Sequence, residues 1–369
     1  MKVQRIRLPD SGQMSWLLRG DDWMPVEPVS RYIRYLENLQ RSPNTIRSYL
    51  GHLKLYWEFL SDSHRDWQSV HLDDLAEFIH WLRYPLPKIM PLQPQTAVRT
   101  ESTVNQALSV VYQFYEFYRR LGVAVALGTD RKAIGSGAYK PFLFGIAAQP
   151  RMRAKLIKLK EPRHLPNCLT AQQVRQFTEA CQRLRDQFLI CLLYETGMRI
   201  GEALGLRHSD LVSEGRNEIH VISRADNGNG ARGKSKQERI IHVSQNLLRL
   251  YSCYLIEEYP ETDCDYVFVN IWEGKVGYPL SMSTVNSLFQ RLSQKTALKV
   301  HPHLLRHTHA TELIRAGWNL AYVQKRLGHA SIQTTIDTYV HLLDEDLRAA
   351  FTKFHQSAHP HDIPPPPMS

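Results

Sequence analysis

The sequence predicts a mainly α-helical protein of two domains, with a small antiparallel β-sheet in the second. Three observations carry this expectation. The chain has 369 residues, more than one core comfortably organises. Apolar residues recur at helical spacing through most of both halves. Only two runs, Glu218 to Ser223 and Arg239 to Ser244, alternate as half-buried strands do.

The elements can be justified in order. Residues 1–25 carry no pattern that assigns them, and stand as an N-terminal extension. Residues 26–127 form a helical domain. Its first amphipathic stretch runs from Val29 to Leu39. Ser42-Pro43 then opens a helix, with Ser as N-cap and Pro in the first helical position. Behind it Ile46, Tyr49, Leu50, Leu53, Trp57 and Leu60 make one apolar stripe, with Arg47, Ser48, His52 and Lys54 opposite. A shorter amphipathic stretch covers Leu75 to Leu82. A last helix opens at Ser102 and stops at Gly122, and its aromatics Tyr112, Phe114, Tyr115, Phe117 and Tyr118 read as packing rather than as base-stacking groups.

Between 128 and 164 the period is lost. Arg151, Arg153, Lys155, Lys158, Lys160 and Arg163 face only Glu161, so this is a basic linker. It is either a solvated connector or a strap along a phosphate backbone. The second domain spans 165–355. Thr170-Ala-Gln-Gln173 is a capping box, and a helical pattern runs from it to Glu195, breaks at Gly197 and resumes from Gly201 to Leu206. The two strand runs follow, joined by the polar, glycine-rich connection RADNGNGARGKSKQE. Helices return over Gln245–Tyr259, Ser283–Ala297, His303–Ala316 and Ala321–Gly328, with an end helix from Asp344. Residues 356–369, rich in proline, are expected to be a disordered tail.

Composition narrows the function classes. Lys and Arg total 46 against 36 acids, a formal net charge of +10, which favours a polyanionic partner. No apolar run reaches the ~20 residues needed to span a bilayer, so no membrane role is expected. The start, MKVQRIRLPDSGQ, lacks an apolar export signal. Five cysteines, with no C-x-x-C pair, argue against a disulfide framework or a zinc ribbon and favour the reducing cytoplasm.

Four places stand out for chemistry. ETGMRIGEALGLRHSDL puts Arg199 two residues after a glycine helix break, with Glu202 three residues on. GKSKQER puts Lys234 in the strand connection. HPHLLRHTHAT puts His303 and Arg306 on one helix face. RLGHASIQTTIDTYVH has His329 after Gly328 and Tyr339 ten residues later. Each alone is weak, since an arginine after a turn usually caps and a tyrosine near a helix start usually packs.

In this order and at these separations they resemble the tyrosine recombinase, or phage integrase, family. The resemblance covers about Leu165 to Phe354 and extends more loosely to the helical domain, where SPNTIRSYLGHLKLYWEFL is similar to that family's core-binding domain. Residues 1–25 and 128–160 match no part of that pattern, and their presence, with the length, suggests a transposase-like member. The resemblance implies a two-domain DNA clamp in which Tyr339 is the nucleophile, forming a 3′-phosphotyrosyl bond and releasing a 5′-hydroxyl. Arg199 and Arg306 would hold the non-bridging oxygens, a task suited to planar, permanently charged guanidiniums. His303 would take the tyrosine proton or contact the phosphate, and His329 would bind a non-bridging oxygen. Lys234 would protonate the departing 5′-oxygen. Lys236 is two residues away and could also reach from this connection, but Lys234 follows Gly233 as the family's lysine does. Glu202 would orient its neighbours, and His307 and His309 are structural. The scheme needs no metal, cofactor or ATP. It implies double-stranded DNA as partner, four protomers on two DNA sites, and room for accessory recombination proteins. On the end helix, Leu342, Leu343, Leu347, Phe351 and Phe354 form an apolar stripe that docks either on a neighbouring protomer or on its own domain.

Three rival readings remain. His303 and His307 have zinc-ligand spacing, but HLLRH lacks the glutamate after the first histidine that a zinc hydrolase of that type uses. A non-cutting DNA-binding protein of the same fold would not need every expected catalytic residue type. A strand-swivelling type IB topoisomerase shares the chemistry, although the elements at Gly205–Arg207 and Leu327–His329 are more similar to recombinases.

Overall fold

The computed structural model describes residues 1–7, 14–84, 97–128, 157–162, 167–212, 215–224, 227–230, 238–272 and 275–328. The chain divides into two units, Met1–Arg163 and His164–Ser369. Among the described residues no helix is long and apolar enough to cross a membrane.

Among the described residues, four α-helices build the first unit: α1 (Glu27–Asn38), α2 (Pro43–Asp62), α3 (Leu72–Arg83) and α4 (Glu101–Arg120). Capping residues fix the starts of α2 and α4. Ser42 Oγ accepts the Thr45 N–H, and Thr100 Oγ1 accepts the Thr103 N–H. Ile46, Leu50, Leu53, Trp57 and Leu60 are buried as the stripe requires, and Tyr49 is half-buried at its edge. Four of the α4 aromatics, Phe114, Tyr115, Phe117 and Tyr118, are core residues. Tyr115 donates to the Trp67 carbonyl at 2.6 Å, and its oxygen accepts the Tyr56 hydroxyl, also at 2.6 Å. Two buried phenols are thus satisfied inside an aromatic core. Tyr112 is part-buried and packs against the same core, and its hydroxyl oxygen accepts the Ile157 N–H at 3.0 Å.

The extension left unassigned above is a hairpin. Strands β1 (Lys2–Arg7) and β2 (Met14–Arg19) pair antiparallel, with Lys2 opposite Arg19 and Arg7 opposite Met14. Its Leu18 is fully buried in the helical core, and Trp16 lies under the Arg47 guanidinium at 5.1 Å. Part of the expected linker also belongs to this unit. Ile157 and Leu159 turn inward while Lys158 and Lys160 are exposed. Asn105, buried on α4, reads the passing backbone on both sides: Oδ1 accepts the Leu159 N–H and Nδ2 donates to the Leu159 carbonyl, each at 2.9 Å.

The second unit contains α5 (Ala171–Glu179), α6 (Leu184–Thr196), α7 (Ile200–Ala203), β3 (Leu211–Val212), β4 (Glu218–Val221) and β5 (Arg239–His242). These are followed by α8 (Gln245–Glu257), α9 (Met282–Thr296), α10 (Pro302–Arg315) and α11 (Leu320–Leu327). The strands form an antiparallel sheet in the order β3-β4-β5, with Ile219 paired to Ile241 and both fully buried. The reading of one helical run from Thr170 to Glu195 is corrected to two helices. The chain turns between Glu179 and Leu184, where Arg185 and Asp186 are buried as a 2.7 Å ion pair and Arg185 Nη1 donates to the Val269 carbonyl. These tertiary partners override a helix-compatible sequence. Helix α6 is apolar on nearly every side and packs centrally against α8 and α10. The end helix and the tail lie outside the described residues.

Candidate active site

Helix α6 has to stop for Arg199 to be placed. It ends at Gly197, whose φ of +62° is left-handed backbone that favours glycine. The position is also closed sterically: a Cβ there would lie 2.6 Å from His309 Cδ2 and 2.8 Å from Leu327 Cδ2. Two residues later Arg199 becomes the N-cap of α7. Its N–H donates to Glu202 Oε2 at 2.9 Å, and its Nη1 to Glu202 Oε1 at 3.1 Å. Its Nη2 donates to the Gly328 carbonyl at 3.1 Å.

Arg306 enters the same place from α10 and is 5% exposed. Nη1 donates to the Gly197 carbonyl at 2.7 Å and Nη2 to the Leu327 carbonyl at 2.8 Å. The two arginines expected to bind phosphate are therefore held by adjacent carbonyls at the end of α11. A third arginine, Arg239 at the start of β5, completes the set. Its Nε donates to the Arg326 carbonyl at 2.8 Å and its Nη2 to Glu202 Oε2 at 2.7 Å. Three successive carbonyls, of Arg326, Leu327 and Gly328, thus accept from Arg239, Arg306 and Arg199 in turn. The negative end of the α11 dipole favours this gathering of cations. Gly328, at φ +66°, leaves the space: a Cβ would lie 2.8 Å from Arg239 Nη1.

The electrostatics follow from these contacts. Burial alone would raise the Glu202 carboxyl, but the hydrogen bond and charge of Arg239, with those of Arg199, hold it below its ordinary value. Three guanidiniums gather at the end of α11 and Glu202 pairs with two of them, Arg199 and Arg239, so these described side chains keep a net positive charge suited to an oxyanion. His303 is exposed on the first turn of α10. Its charge reaches His307, whose imidazole is lowered by burial first and then by His303, Arg306 and His301. His309 is buried, and its Nε2 accepts the Arg326 Nε–H at 3.1 Å. Among the described residues, no three or more His, Cys, Asp or Glu side chains gather as a metal site.

Of the six residues expected at the site, Arg199 and Arg306 are brought together and His303 lies on the helix that carries Arg306. Lys234, His329 and Tyr339 lie outside the described residues. The sequence reading missed Arg239 as a residue of the site and used it only as the start of a strand run. The alternation of β5 held the signal: Ile241 is an inward position, and Arg239 shares its face.

Comparison with known proteins identifies the family. Residues 167–346 match the phage integrase family, and residues 29–122 match the phage integrase N-terminal SAM-like domain. Over 356 residues the chain is 42% identical to transposase A from transposon Tn554 of Staphylococcus aureus, covering 96% of this chain and 98% of that protein. It is 28% identical over 328 residues to tyrosine recombinase XerA of Pyrococcus horikoshii, covering 88% and 92% of the two chains. The Tn1549 transposon integrase, solved in complex with transposon right end DNA, has a similar fold. Its TM-score is 0.62 at 19% identity, over 90% of this chain and 99% of that one. With both domains matched in order and one relative this similar along nearly its whole length, the chain belongs to the phage integrase family of tyrosine recombinases.

Proposed function

We propose that this protein is a transposase-type, site-specific recombinase that cleaves and rejoins double-stranded DNA through a 3′-phosphotyrosyl intermediate on Tyr339. The observation that carries the reading is the joint anchoring of Arg199 and Arg306. Both guanidiniums are fixed by backbone carbonyls, of Gly328 for Arg199 and of Gly197 and Leu327 for Arg306, so their charge is preorganised for a phosphate rather than free to wander.

The roles follow in sequence. The Tyr339 oxygen attacks the scissile phosphorus, and His303 takes the phenolic proton. Arg199, Arg306 and His329 hold the non-bridging oxygens as charge develops. The bond from phosphorus to the 5′-oxygen breaks, and that oxygen takes a proton from Lys234. The covalent bond keeps the phosphodiester energy, so a 5′-hydroxyl from another strand can reverse the steps and rejoin. The scheme uses no metal, cofactor or ATP. The helical domain and the basic segment at 128–164 would add contacts to the duplex, and four protomers would act on two sites in the cytoplasm, with accessory proteins able to set direction. Lys158 and Lys160, exposed on their strand-like stretch, suit contact with a phosphate backbone.

The test needs no prior target sequence. Wild type and Tyr339→Phe are expressed in parallel, the cells are denatured, and protein-linked DNA is captured and sequenced. Adducts at recurrent 3′-phosphate positions are expected from the wild type alone. Equal adducts from both proteins would place the nucleophile elsewhere. No adducts from either, with DNA binding retained, would leave a non-cutting DNA-binding protein of the same fold.

A further inference from the structure

The Glu202 carboxylate poses a problem for the site just described. It lies against Arg199, and a lone buried carboxylate there would draw that guanidinium onto itself and offset the charge meant for a phosphate. The structure supplies a counter-ion. Arg239 makes the shorter bond to Glu202, 2.7 Å against 3.1 Å from Arg199, and the Arg239 and Glu202 side chains are 3% and 4% exposed. Arg199, 18% exposed on its side chain, is the more open of the two arginines. The remaining Nε–H of Arg239 is held by the Arg326 carbonyl, which fixes the guanidinium plane against the last turn of α11.

We propose that Arg239 is a positioning residue for strand cleavage: it takes the charge of Glu202, leaving Arg199 available to the scissile phosphate, and ties that carboxylate to the α11 end that anchors Arg199 and Arg306. The inference rests on the recombinase reading. Arg239 touches no reacting atom and acts through Glu202 and Arg199. Its role is one of charge balance, which separates it from a residue that only holds β5 against α11. If Arg239 is lost, Glu202 is left to Arg199 alone. If Glu202 is neutralised as well, the imbalance disappears even though the contact between strand and helix is still missing.

The test compares wild type, Arg239→Gln, Arg239→Lys and the double variant Arg239→Gln with Glu202→Gln. Single-turnover formation of the covalent adduct is followed on a duplex bearing the sequence recovered with the wild type, and affinity for the same duplex is measured alongside. Arg239→Gln should slow adduct formation about 100-fold, the cost of a misplaced catalytic group, with affinity for the duplex unchanged. The double variant should recover about tenfold of that loss, because the two changes are coupled through one charge pair. Arg239→Lys, which keeps the charge and loses the fork, should fall between wild type and Arg239→Gln. Should Arg239→Gln fail to fold, a double variant that still forms adduct supports charge balance. A folded, DNA-bound double variant that forms none overturns it. Equal rates for wild type and Arg239→Gln, or a double variant slower than the single, also overturn the assignment. A wild type that forms no adduct counts instead against the recombinase reading itself.

Discussion

At the scale of single residues, the site is built from side chains whose hydrogen-bond capacity is used on backbone. Arg199 spends one N–H on the Gly328 carbonyl and one on Glu202, which fixes its plane before any substrate arrives. Arg199→Ala should therefore lower the rate of strand cleavage by about 100- to 1000-fold, as loss of a preorganised oxyanion donor does. DNA affinity should change little, and rate and affinity measured separately would check this. His309 gives a prediction about stability. Burial first, then the charges of Arg326 and Arg306, push its imidazole down to about 3 from the ordinary 6.5. The unfolded chain takes up that proton at the higher value and the folded chain does not. Stability is thus full above about pH 6.5 and is lost as pH falls towards 3, by at most about 1.4 kcal/mol per pH unit. Melting curves from pH 7 to pH 5 should show a shallower fall for His309→Gln, whose amide oxygen can still accept from Arg326.

At the scale of elements, the caps and stripes of α2 and α4 were legible because local and global preferences agree there. Ser42 caps, Pro43 starts, and the apolar positions of α2 all face one way. What stayed hidden has physical causes. KVQRIR is broken by charges and MSWLLR does not alternate, so neither reads as a half-buried strand, although packing on the helical core buries Leu18. The break between α5 and α6 carries no glycine or proline, being set by partners of Arg185 that lie far along the chain. Arg199 and Arg306 could be found through the family resemblance, whereas Arg239 offered only its place on the inward face of β5, a weak signal because a charged residue opening a strand ordinarily faces water. The contact of Asn105 with Leu159 was equally invisible, since it joins positions 54 apart. Asn105→Ala strands a backbone N–H and a carbonyl at a part-buried seam, and should destabilise the first unit by about 1–3 kcal/mol. Denaturant unfolding would measure it.

At the scale of the whole molecule, a formal net charge of +10 is carried by two units of different make. Neutralising several phosphates releases counterions, so raising salt from about 50 to 200 mM should weaken DNA binding about a thousandfold or more. A titration across that range checks it, and a flat response would mean that the basic excess serves something other than the DNA backbone. The route of the chain has a different consequence. Leu127 is buried in the first unit, and the chain is back on the same core at Ile157 and Leu159. The chain thus enters and exits residues 129–156 from one body, which makes a closed circuit. Closing such a circuit costs an entropy that grows only with the logarithm of its length, about 0.6 kcal/mol for each doubling. Evolution or an engineer could shorten or lengthen this circuit, or splice a foreign domain into it, and the fold of the unit that bears both its ends would register little change.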